Sequence, residues 1–66
     1  MKVRFEMLDK ASDRVISHVV RIVEAVPREG DFISMNPDGN YEGDVPRVTS
    51  VIWTPAAFEV AVVRFR

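Results

Sequence analysis

The sequence predicts a small, mainly β fold: a partly open barrel of about five strands. Three observations carry that reading. Arg47–Thr54 holds β-branched residues at five of its eight positions together with the only tryptophan, a composition suited to a pleated, half-buried surface. Lys2–Leu8 alternates strictly, with Val3, Phe5 and Met7 on one side and Lys2, Arg4 and Glu6 on the other. Every apolar position of Arg14–Val26, other than Ala25, is Val or Ile, residues that lose side-chain freedom in a helix.

Taken in order, Lys2–Leu8 is the first strand and Asp9–Asp13 a polar connection. Arg14–Val26 supports two architectures. Its apolar residues also fit a 3.6-residue period, with Ser12 as N-cap and Pro27 beyond the end, so the alternative is α+β: one helix at 13–26 packed on a four-stranded antiparallel sheet. The β-branched composition favours the strand. Pro27–Asp31 is a turn, with Pro27 set for its first corner and Gly30 free to take positive φ. Phe32–Met35 is extended, and Asn36–Asn40 is the strongest turn signal in the chain. Arg47–Thr54, bracketed by Pro46 and Pro55, is expected to be the central strand with Trp53 in the core. Phe58–Phe65 closes the sheet, with Phe58, Val60 and Val62 on one face and Ala61, Val63 and Phe65 on the other.

The chain has 66 residues and reads as one domain, 1–66. A domain of this length buries only about 60% of the surface its unfolded chain exposes, so its core is marginal. There is no cysteine and one histidine, which excludes disulfides, thiolate zinc and His-rich metal sites. With 47% hydrophobic residues, self-association is the expected way to hide the remaining apolar surface, and no cofactor is implied. Nine basic against ten acidic residues weigh against generic nucleic-acid binding. Seven of the nine bases are arginine, whose planar fork suits carboxylate or phosphate. No run reaches the ~18 apolar residues of a membrane span, and the expected location is the cytoplasm.

Val26–Ile33, Val-Pro-Arg-Glu-Gly-Asp-Phe-Ile, and the stretch from Tyr41 to Trp53 that ends in Arg-Val-Thr-Ser-Val-Ile-Trp, resemble short prokaryotic and bacteriophage proteins of the Val-Pro-x-x-Gly-Asp type. That resemblance implies an SH3-like small barrel and a phage origin. Its motifs are structural and carry no functional residues across. The longer Asn36–Asp44 segment and Pro46 depart from the pattern.

Asp38–Asp44 places oxygen ligands at alternate positions with Gly43 sixth, as in the first half of an EF-hand loop, but Pro46 and Thr49 occupy its ninth and twelfth positions. It reads as a solvated turn. Ser17 and His18 are neighbours and on a strand point to opposite faces, so they do not form a nucleophile and base. Asp9/Asp13 and Asp31/Asp44 read as turn stabilisers. The chain is therefore expected not to be an enzyme. The candidate ligand-binding residues are Arg28, Arg47, Tyr41 and Trp53: two guanidinium forks for an anion and two aromatic plates for a base. The predicted function is a phage-type accessory module that self-associates and binds a protein partner or small anionic ligand, such as a sequestered nucleotide. A nucleic-acid-binding barrel and a virion assembly component are the alternatives.

Overall fold

The computed structural model describes residues 1–34, 45–54 and 58–66. Four strands, β1 (Lys2–Leu8), β2 (Val15–Ile22), β3 (Val48–Trp53) and β4 (Ala61–Phe65), form one sheet in the order β2-β1-β4-β3. The hairpin β1–β2 and the pair β3–β4 are antiparallel, whereas β1 and β4 run parallel at the centre. A fifth position is taken by a single bridge, Phe32 to Arg47, flanking β3. The fold is mainly β and the sheet stays open. The stretch offered as a helix at 13–26 contains β2, so the β-branched side chains outweigh the helical period.

The central pair explains the core. Parallel register sets Val3 beside Ala61, Phe5 beside Val63 and Met7 beside Phe65. Val3, Ala61 and Val63 are fully buried, and Phe5 and Phe65 nearly so. Each such side chain contributes about 1.5–3 kcal/mol when removed from water. Val51 and Val19 extend this face outward on β3 and β2. The chain then leaves β2 and crosses over the same face, packing Val23, Val26 and Ile33 onto it.

That crossing ends in a turn whose sequence dictates its shape. The Arg28 carbonyl accepts from the Asp31 amide at 3.0 Å, and Asp31 Oδ2 accepts from the Arg28 amide at 2.8 Å. Gly30 sits at the third position with φ of 92°, which an L-residue rarely adopts. Pro27 precedes this turn instead of occupying its corner, which falls to Glu29. The β1–β2 connection closes similarly: Asp9 Oδ1 accepts from the Ala11 amide at 2.8 Å, and Asp13 takes positive φ (57°), which a short polar side chain tolerates.

The opposite face of the sheet is open to solvent and, among the described residues, carries one buried charge. Glu6 is 9% exposed. Its Oε2 accepts from Arg4 Nε and its Oε1 from Arg64 Nε, each at 3.0 Å. Arg4 shares its strand face two residues away, and Arg64 is its parallel partner on β4. Burial pushes the Glu6 carboxyl up, but the hydrogen bonds and charge of Arg64 and Arg4 outweigh it, leaving the pKa below its ordinary value.

Three expectations are corrected. Arg47–Thr54 is not the central strand: β3 pairs along only one side with a full strand, because β1 and β4 between them supply the more completely apolar face. Trp53 is 64% exposed and is not core: it is the last residue of β3 and lines an open hollow beside the crossing segment. The last strand begins at Ala61 and not Phe58: Thr54 binds Val60 through its amide (3.0 Å) and Glu59 through its hydroxyl (2.6 Å), bending residues 58–60 and leaving Phe58 91% exposed. Met35, the Asn36–Asn40 turn and the Asp38–Asp44 loop lie outside the described residues.

Two consequences are measurable. Because the Glu6 pKa is lower folded than unfolded, its stabilisation is present above the unfolded value near 4.5 and is lost as pH falls through the folded one. Acid titration of stability should therefore show a decline below pH 4.5 that Glu6→Gln flattens, at a cost of about 1–2 kcal/mol at neutral pH. Gly30→Ala meets no atom within 4 Å, so chemical denaturation should read the backbone cost alone, about 1–2 kcal/mol.

Candidate anion-binding site

At the β3 side of the open face, three chain segments set three side chains in a row. Arg47 and Arg66 exchange backbone hydrogen bonds of 3.0 and 3.1 Å, and Phe32 bridges Arg47 from the other side. Ile33, Val48 and Phe65 alternate with these residues and point into the core, which obliges Phe32, Arg47 and Arg66 to face outward together. The Arg47 guanidinium carbon lies 4.5 Å from the centre of the Phe32 ring, a cation–π contact. That contact orients Arg47 without consuming its N–H donors.

Lys10, from the β1–β2 connection, and Val45 complete a hollow of about 610 Å³ around this row. Arg66 is held by an ion pair to Asp13 from the same connection. Three cations thus converge on one concave surface with an aromatic ring, 65% exposed, on its wall. Such a surface can hold phosphate or carboxylate through guanidinium forks and take a flat group against the ring. The arginines Arg4 and Arg64 continue the basic character along the open face, although both are engaged with Glu6.

Of the four residues anticipated from the sequence, the three that are described do not converge on one place. Arg47 is in this hollow. Arg28 and Trp53 do meet, but in a separate hollow of about 450 Å³ at the β3 end of the core side, with Val26, Pro27 and Val51. Glu29 shares that rim and offsets Arg28, so the hollow is apolar and near neutral. Tyr41 lies outside the described residues. Phe32, Arg66 and Lys10 were missed. Alternation was the available signal: Arg64 and Arg66 follow Val62 on the face opposite Val63 and Phe65, and Phe32 precedes buried Ile33.

Ser17 and His18 occupy successive positions of β2, opposite Met7 and Glu6 respectively. Among the described residues, no three His, Asp or Glu side chains gather to hold a metal ion, and no helix is long and apolar enough to cross a membrane. No family model, curated protein or solved structure matches the chain.

The exposure of Trp53 has a direct readout. Its fluorescence should be that of a water-facing indole, readily quenched by acrylamide in the native state. Trp53→Ala should shift stability by less than about 1 kcal/mol, far from the several expected of a core tryptophan.

Proposed function

We propose that this protein is a non-catalytic binding module for a small phosphate-bearing anion of the nucleotide class, bound where Phe32, Arg47, Arg66 and Lys10 converge. The observation behind this reading is the row of one aromatic and two arginine side chains on three adjacent backbones, facing a hollow large enough for such a ligand. Phosphate oxygens meet the Arg47 and Arg66 forks and the Lys10 ammonium; a base lies on Phe32. Arg28 and Trp53 belong to a different surface, suited to an apolar group of a protein partner. The resemblance of Val26–Ile33 and the Tyr41–Trp53 stretch to phage proteins supports a phage-type accessory role in the cytoplasm, with ligand sequestration as its simplest form.

A second reading is favoured by the arginines that extend from the hollow along the open face, Arg64 and Arg4: a single nucleic-acid strand follows the same path, with Phe32 as a stacking plate. Salt separates the two. A strand neutralising several cations loses affinity steeply as salt rises, whereas a mononucleotide loses little.

Calorimetric titration with ATP, and with pyrophosphate as the base-free probe, tests the proposal. Saturable binding is expected, about tenfold weaker in Arg47→Ala and in Arg66→Ala, the loss of one charge-assisted contact each. Phe32→Ala should weaken ATP more than pyrophosphate. Absence of heat and of thermal stabilisation at large excess of both probes, or unchanged affinity in Arg47→Ala, would remove the proposal.

A further inference from the structure

The edge of the sheet farthest from this hollow is β2, and its exposed side is a backbone template. The Val23 amide donates to the Met1 carbonyl and the Met1 amine to the Val23 carbonyl, both at 2.7 Å. Antiparallel pairs alternate between bonded and non-bonded, so in the observed register Arg21, Val19 and Ser17 direct their N–H and C=O groups at β1. His18, Val20 and Ile22 direct theirs outward. Among the described residues nothing pairs with this side of β2. Exposed edges are ordinarily blunted by proline, lysine or a bulge along the strand. β2 contains neither proline nor lysine, and its one irregularity is at Ile16, which the pairing with β1 skips between Ser17 and Val15. Its flanking side chains are apolar and wet: Ile16 is 60% and Ile22 84% exposed.

We infer that a second copy of this chain pairs antiparallel along β2, about a twofold axis through Val19, to give one continuous sheet of two protomers. A twofold pair is self-complementary, because each outward donor of one strand meets an outward acceptor of its copy. The sequence selects the register. Centring on Val19 sets His18 against Val20 and brings Ile16, at the bulge, toward Ile22 of the second copy, so the two most exposed apolar residues of the strand meet. It faces Arg21 with Ser17 and brings Arg14 at one end toward Glu24 at the other, an attraction repeated twice by symmetry. Centring on His18 opposes two histidines and sets Ile22 against Arg14; centring on Val20 sets Ile16 against Glu24. Both forfeit the isoleucine pair and expose an apolar side chain to a charge. The self-association expected from the chain's size thereby acquires a surface, one independent of the anion site at the opposite edge.

Light scattering on the whole chain should give twice the 7.5 kDa mass of one protomer. Val20→Pro removes only an outward N–H and should yield a folded monomer. The chain has no cysteine, so single cysteines report the register cleanly. Val19 and its copy lie about 4.5 Å apart at Cα in a non-bonded pair, within disulfide reach. Ile22 and its copy are about 20 Å apart. Val19→Cys should therefore cross-link on mild oxidation and Ile22→Cys should not. A parent protein that stays monomeric up to millimolar concentration, whether its edge is bare or reserved for another protein, overturns the inference. So does a Val20→Pro variant that remains a dimer, or an Ile22→Cys variant that cross-links as fast as Val19→Cys.

Discussion

The parallel contact between β1 and β4 is the constraint on which the rest of the molecule depends. It places Val3 and Phe5 against Ala61 and Val63, and no other pair of strands brings so many fully buried side chains together. β2 and β3 can only flank this pair, each adding one or two apolar contacts. The crossing segment from Val23 to Ile33 then covers the face that the pair creates. A sheet with so few strands closes its core by laying an irregular stretch of its own chain across it.

The same alternation that fills one face sets charged side chains among Val20, Val62 and Ile52 on the other. Arg4, Glu6 and Arg64 occupy neighbouring positions there, and Phe32, Arg47 and Arg66 continue the pattern toward β3. Overall charge is close to balance, at −1, while Arg4, Arg64, Arg47 and Arg66 lie on the open face, where Glu6 is the sole acid within the strands and Asp13 pairs with Arg66. Net charge averaged over the chain therefore conceals a local cluster of cations. An anion approaching the hollow meets Lys10, Arg47 and Arg66, with Asp13 paired to Arg66 beside them.

The sequence told strands from helix where side-chain chemistry was local. Lys2–Leu8 was legible residue for residue because strict alternation has no competing interpretation. Val and Ile in Arg14–Val26 resolved the helix alternative through their stiffness at χ1. Strand order was not legible. The richest β composition, in Arg47–Thr54, suggested a central place, but composition reports how well a segment fits a pleated surface and not how many neighbours it has. Trp53 was misplaced for the same reason: a large ring prefers burial on average, and the cover available at the end of β3 decides the individual case. Of the candidate site, Arg47 was found because it follows a proline before a strand; alternation assigns Phe32 and Arg66 to a face, but that the two lie beside Arg47 is set by pairing that only the fold supplies.

The join between β1 and β4 also governs how the chain reaches this state. Glu6 and Arg64 are 58 residues apart, so the central contact closes nearly the longest loop the chain contains. The entropy of that closure must be met before the apolar pairs can offset it, which makes assembly slow for so short a polypeptide. During translation, the hairpin of β1 and β2 emerges from the ribosome with Val3 and Phe5 bare and must wait for β4. Until then only the crossing segment, Val23 to Ile33, is at hand within the chain to shield that greasy side.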